Sequence, residues 1–251
     1  LYMIYIAIRC HFRPQDGPPM PPEEREIPWK TKIYLLVTSV VPPGLLVFAV
    51  LGSIFFGIAA VTEAAAVGAI ASILLAACYG RLSLGLIKSA CLQTLTITCM
   101  IMLIAVGASF FSTVFVALGG DDVVSNLFLN LPMGPWGILF TIMALLIFLG
   151  MFIDWMGILF IIVPLITPIA ETLGFDPIWF AVLVMVNLQI SFLTPPFAYA
   201  MFFLKGAAKP ELGITTNDII RGMIPYVFIV MIVLLLMIAY PQIALWLPST
   251  M

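Results

Sequence analysis

Charge is scarce in this chain. Asp, Glu, Lys and Arg make up 9% of its 251 residues, and there is one histidine, His11, in a polar stretch. A soluble domain holds about a quarter charged residues, so an ordinary soluble fold is excluded. Cysteine is equally uninformative. Cys10, Cys78, Cys91 and Cys99 show neither disulfide nor zinc spacing. Three of them lie in or beside apolar segments, where cysteine behaves as a small hydrophobe. There is no phosphate-binding loop, no cluster of metal ligands and no basic-aromatic patch to engage nucleic acid.

What is present is apolar. Hydrophobic residues are 63% of the chain and mean hydropathy is +1.22. The chain reads as an all-α polytopic membrane protein whose first partner is the lipid bilayer. The net charge of −2 carries little meaning, because the charges are few and clustered. All ten Lys and Arg fall in three stretches, Arg9 to Lys32, Arg81 to Lys88 and Lys205 to Arg221. Basic residues concentrate on the cytoplasmic side of membrane proteins, which predicts that all three face the cytoplasm.

One topology satisfies this. Leu1 to Ile8 is apolar but far short of the roughly 20 residues that span a bilayer. With no initiator Met, it reads as the end of a truncated helix, and the chain as the C-terminal part of something larger. Residues 9–32, rich in proline, form a cytoplasmic linker. Ile33 to Tyr79 is long enough for two crossings, turning near Gly52, Gly57 and Thr62-Glu63. Pro42-Pro43 predicts a kink in the first of them. Ala90 to Ala117 crosses outward, and Leu118 to Met133 lies outside. Gly222 to Leu247 is the last crossing.

Between these lies the most irregular part of the sequence. Pro135 to Leu173 fits either two full crossings or a re-entrant hairpin with Gly150 to Asp154 at its tip. The hairpin is favoured, because a carboxylate in the cytoplasm would be accompanied by Lys or Arg, and none is near. Charged groups at membrane depth are costly and mark sites, although Asp154 also suits a helix cap. The segment Ile178 to Leu204 is interrupted by Thr194-Pro195-Pro196. Prolines lack the N–H and clash with the preceding turn, which predicts bare carbonyls near Gln189 to Ser191. Irregular backbone at membrane depth is tolerated where it is buried in protein or lines a cavity, as transporters use it. Asn187, Gln189 and Ser191 add side-chain oxygens, for a substrate pathway or for interhelical hydrogen bonds. Glu63 reads as structural, at the interfacial end of a helix with the small-residue run Ala64 to Ala69.

Four motifs in order resemble one family. Gly57-Ile58-Ala59-Ala60-Val61-Thr62-Glu63-Ala64-Ala65-Ala66-Val67-Gly68 is similar to its G-I-A-T-P-T-E-A-A-A-V-G. Gly150-Met151-Phe152-Ile153-Asp154 is similar to its G-x-F-x-D. Pro164 to Pro168 with Gly174-Phe175-Asp176-Pro177 is similar to its P-x-x-x-P and G-x-D-P. Asn187-Leu188 and Leu193-Thr194-Pro195-Pro196 are similar to its N-L and T-P-P. The family is the large membrane subunit (DctM type) of tripartite ATP-independent periplasmic transporters. Departures are Ala60-Val61 for Thr-Pro, Ser191-Phe192 where glycine is frequent, and Phe197-Ala198 for a small-residue or Val-Gly pair.

The resemblance implies the second inverted repeat of an elevator-type transporter. Residues 33–134 would then be scaffold-type helices, 135–210 a transport unit of re-entrant hairpin plus broken helix, and 211–251 the C-terminal helix. The missing N-terminal repeat would supply the other half of the site. A coupling Na⁺ would sit among Gly150, Asp154, Thr194, Pro195 and Pro196, with no other cofactor or metal. Asn187, Gln189 and Ser191 would line the substrate pathway for an organic acid. Implied partners are a small membrane subunit (DctQ type) and a periplasmic substrate-binding protein (DctP type), in a bacterial inner membrane. The rivals are an intramembrane enzyme, which would need an acid–base pair beyond Asp154 and Glu63, and a non-transporting structural subunit.

Overall fold

A computed structural model describes residues 1–17, 28–196, 198–208 and 213–250. Of the expected linker, residues 18–27 lie outside this range, as do Phe197 and Lys209. The described residues are helical throughout, without a strand. Five helices among them are long and apolar enough to cross a membrane: Trp29–Phe55, Val61–Cys78, Leu84–Ala117, Trp155–Thr172 and Thr216–Ala239. The polytopic all-α architecture read from composition is therefore present.

The chain forms two compact units, with bodies Met3–Leu95 and Thr96–Ser249, whose boundary falls inside the helix Leu84–Ala117. In the first unit, α1 covers Tyr2–Phe12, α2 Trp29–Ser39, α3 Val41–Phe55 and α4 Val61–Cys78; α5, Leu84–Ala117, begins there. Pro42 and Pro43 occupy the first positions of α3, where a missing N–H costs nothing, and the helix is interrupted just before them. Gly57, at φ 65°, makes the turn between α3 and α4. Glu63 then caps α4, its Oε2 accepting the Ala60 N–H at 2.9 Å. The alanine run lets α3 and α4 approach closely. Ala64 is fully buried, and a Cβ on Gly68 would stand 2.9 Å from Val50 Cγ2. In lipid, close packing of this kind rather than exclusion of water holds helices together.

The second unit holds α6 (Gly120–Leu129), α7 (Pro135–Gly150), α8 (Trp155–Thr172), α9 (Pro177–Leu193), α10 (Tyr199–Ala207), α11 (Thr216–Ala239) and α12 (Gln242–Leu245). The stretch placed on the outer side, Leu118 to Met133, contains α6. Asp121 and Asp122 stand in its first turn, where acids complement the helix dipole, and Phe128 is buried in the core. Helix α9 is the centre of this unit. It packs on α7 on one side and α11 on the other. Leu139, Ile142 and Leu146 of α7 meet Phe180, Leu183, Val184 and Ile190 of α9 in one core.

Local chemistry sets the boundaries. Gly174, at φ 82°, ends α8. Its N–H donates to Glu171 O at 2.9 Å and the Phe175 N–H to Ala170 O at 3.1 Å, the paired bonds of a glycine-terminated helix. Asp176 caps α9, its Oδ1 accepting the Trp179 N–H at 2.9 Å, with Pro177 at the first position. Within α8, Ile158–Ile162 form a π-helical turn directly before Pro164. A proline cannot donate back along the helix, and the wider turn makes room for its ring.

Candidate functional site

The hairpin α7–α8 turns through Met151 to Asp154. Its tip lies against both sides of the interruption between α9 and α10. On the near side, Gly150 touches Ser191 so closely that a Cβ on Gly150 would fall 2.0 Å from Ser191 Oγ. On the far side, Tyr199 borders the same void as Gly150, Ile153 and Trp155. Asp154 caps the start of α8, accepting the Met156 N–H at 3.4 Å.

The interruption itself is built by Thr194. Its N–H turns to Ser191 O at 3.3 Å instead of continuing the α-helical ladder to Ile190. Its hydroxyl takes over Ile190 O, at 2.6 Å. The carbonyls of Ile190 and Ser191, expected to be bare, are therefore both engaged by Thr194. Pro195 and Pro196 follow, exposed, with no N–H to give. Ala198 is buried with φ 25° and ψ 62°, a left-handed conformation that favours glycine. It stands in the pair where the family resemblance sets a small residue or glycine.

Two buried oxygens at this place have no protein partner among the described residues, Asn187 Oδ1 and Ser191 Oγ. They are four residues apart on α9, so they share a face. Asn187 is fully buried, and its Nδ2 donates to Met143 O of α7 at 2.8 Å. That bond fastens α9 to the hairpin. Gln189, by contrast, is exposed in this chain. Gly150, Ser191, Phe192, Trp155 and Tyr199 border a void of about 10 Å³. That is about the room of one water-sized solute. Three aromatic rings stand beside it, Trp155 and Phe192 at 6.4 Å and Phe192 and Tyr199 at 5.8 Å between centroids.

Among the described residues no group of three or more His, Cys, Asp and Glu could hold a metal ion. The oxygens gathered here are a carboxylate, hydroxyls, an amide and main-chain carbonyls, the donors a hard cation prefers. The geometry thus brings together the hairpin tip and the proline break, two features that stand about forty residues apart in sequence. The family described as "Tripartite ATP-independent periplasmic transporter, DctM component" matches residues 1–243.

The chain belongs to this family. Over 201 residues it is 31% identical to the sialic acid TRAP transporter permease protein SiaT of Haemophilus influenzae, covering 80% of this chain and 32% of SiaT. It is 30% identical over 206 residues to the C4-dicarboxylate TRAP transporter large permease protein DctM of Pseudomonas aeruginosa, covering 82% of this chain and 47% of that one. It is 29% identical over 229 residues to the ectoine TRAP transporter large permease protein TeaC of Halomonas elongata, at 90% and 52%. The chain thus spans about a third to a half of the length of these relatives. These relatives are named as transport permeases and not as enzymes. Of the site in this chain, sequence reasoning missed Tyr199. Its signal was a phenol, apolar in body and polar at its tip, five residues beyond Thr194.

Proposed function

We propose that this chain is the C-terminal half of a sodium-coupled secondary transporter permease that imports organic acids delivered by a periplasmic binding protein. The observation that carries the reading is the meeting of the hairpin tip with the broken helix, around two unpartnered buried oxygens and a void of about 10 Å³. One Na⁺ would bind among Gly150, Asp154, Thr194, Pro195 and Pro196. Asp154 supplies negative charge, and the lone pairs of the Thr194 hydroxyl stay open, since only its hydrogen is used on Ile190 O. Asn187, Gln189 and Ser191 would border the substrate pathway, with Ser191 Oγ and Asn187 Oδ1 the free acceptors.

The length of α7 supports a re-entrant hairpin. Helix α7 has 16 residues, about 24 Å at 1.5 Å per residue, against roughly 30 Å of hydrocarbon. The hairpin and the broken helix would move as one unit against the remaining helices, and the absent repeat would complete the site. A small membrane subunit, a binding protein and a bacterial inner membrane go with this reading. Sialic acid and C4-dicarboxylates, in two of the three relatives' names, are acids.

The test is uptake by the intact permease with its partner subunits, in proteoliposomes, as a function of sodium. Asp154→Ala and Thr194→Val should weaken sodium activation more than they lower the amount of permease inserted. Unchanged sodium activation in both variants would place the ion elsewhere.

A further inference from the structure

The joint between α2 and α3 is short of hydrogen-bond donors. In an α-helix each N–H donates to the carbonyl four residues back. Residue 42 would serve Thr38 O and residue 43 would serve Ser39 O, and both are proline. The missing N–H groups cost α3 nothing, since they stand in its first turn. The loss falls on the last carbonyls of α2. The Thr38 hydroxyl does not repair it, because it donates back to Tyr34 O at 2.7 Å, a bond that itself tends to bend a helix.

The donor comes from another helix. The Tyr79 hydroxyl donates to Thr38 O. Tyr79 closes α4, and its backbone is fixed there. Its N–H donates to Leu75 O at 3.0 Å. Gly80, at φ 64°, then lets its own N–H reach Ala77 O at 2.9 Å and the Arg81 N–H reach Ala76 O at 3.0 Å. The phenol is thus presented from a firmly capped helix end.

Helix lengths show why a joint belongs here. Trp29–Phe55 has 27 residues, about 40 Å at 1.5 Å per residue. Helix α4 has 18 residues, about 27 Å, against roughly 30 Å of hydrocarbon. Thr38 meets the residue that closes α4, so the excess length lies in α2, which carries Lys30 and Lys32.

We propose that Tyr79 is the latch of a hinge at Val40 to Pro43. Its hydroxyl stands in for the N–H that Pro42 lacks and holds α2 at a set angle to the α3–α4 pair. Without it, α2 turns about the joint while α3 and α4 stay packed through Ala64 and Gly68. The proposal is independent of the sodium reading. It makes the roles of Pro42 and Tyr79 depend on each other.

The test uses the intact permease in lipid vesicles, with its native cysteines replaced by serine. Nitroxide labels are placed through Lys30→Cys on α2 and Ile70→Cys on α4, both exposed positions. Pulsed electron spin resonance then reads the distribution of label distances. The unsubstituted joint, Tyr79→Phe, Pro42→Ala and the pair are compared, with Pro43→Ala as a control background. Tyr79→Phe removes one oxygen and keeps the ring. It should broaden the distribution and lower the unfolding temperature by about 1–2 °C. Pro42→Ala restores the N–H that serves Thr38 O, so Tyr79→Phe in that background should change neither. Pro43→Ala restores a donor to Ser39 O alone, and there Tyr79→Phe should keep its full effect. An unbroadened distribution in Tyr79→Phe, or equal broadening with and without Pro42→Ala, would overturn the latch. Should Pro42→Ala not yield folded permease, Tyr79→Phe alone and in the Pro43→Ala background decides it, and unchanged widths refute the proposal.

Discussion

Gly150 and Ser191 are in contact so tight that any side chain at 150 would overlap it. A Cβ there would stand 2.0 Å from Ser191 Oγ and 2.5 Å from Ser191 Cβ. Real carbon atoms do not approach so near. The glycine that ends α7 is thus required by its neighbour on α9 and not by its own backbone, which is helical.

Gly150→Ala should therefore destabilise the protein, by about 1–3 kcal/mol as for other overpacked cores. Ser191→Ala should not rescue it, because the Cβ remains. Ser191→Gly should restore most of the loss. Thermal unfolding of the purified permease, followed for the three single variants and the two pairs, checks this. A neutral Gly150→Ala would show that α7 and α9 are farther apart than their described positions.

Asn187 offers a second test, because its two ends have different duties. Its Nδ2 holds Met143 O, while its Oδ1 has no protein partner. Asn187→Ala should cost about 1–2 kcal/mol, within the range for a buried hydrogen bond with its cavity. Asn187→Asp should cost more, since it turns an acceptor toward the Met143 carbonyl. Denaturation midpoints of both variants decide it. Equal midpoints would mean that the amide nitrogen contributes nothing to holding α9 on the hairpin.

Much of this architecture was legible in the chain. Asp176-Pro177 announced the start of α9 as an acceptor followed by a residue that needs no N–H, and Gly174 announced the end of α8. The break at Thr194 to Pro196 followed from two missing donors. Other parts were not legible. Helix α6 was not foreseen, because ten residues with two acids give no membrane-length signal, and the burial of Phe128 depends on tertiary packing. The engagement of Ile190 O by the Thr194 hydroxyl was missed because proline logic counts lost donors and not side-chain substitutes. Tyr199 was invisible because Gly150, Ile153 and Trp155, which border the same void, lie far earlier in the chain, and nothing local distinguishes it from other tyrosines at a membrane helix end.

Trp179 separates structural from site effects. Its Nε1 donates to Met237 O of α11 at 2.9 Å, and the ring is buried against Phe175. Trp179→Phe keeps most of the apolar area and loses the donor. It should lower stability by about 1 kcal/mol, the typical net value of such a bond. Its half-saturating sodium concentration should match wild type when thermal stability is followed against added sodium chloride, with choline chloride as the control. A shifted sodium response would show that the α9–α11 packing is coupled to the ion site.

Thr194 carries the most discriminating prediction, because one hydroxyl serves the backbone and, in the proposed site, the ion. The hydrogen goes to Ile190 O at 2.6 Å. Thr194→Val has nearly the same shape but leaves that carbonyl without its side-chain donor. Loss of a buried partner costs about 1–3 kcal/mol in soluble proteins, and polar contacts between membrane helices average nearer 0.6 kcal/mol. Thr194→Ser keeps the hydroxyl and gives up a methyl group. In choline chloride, Thr194→Val should unfold at a lower temperature than wild type, and Thr194→Ser close to it. In sodium chloride, wild type and Thr194→Ser should both gain stability, while the gain in Thr194→Val should shrink, because the oxygen offered to the ion has gone as well. A Thr194→Val that is weaker in both salts by the same amount would confine the hydroxyl to the backbone and remove Thr194 from the ion site.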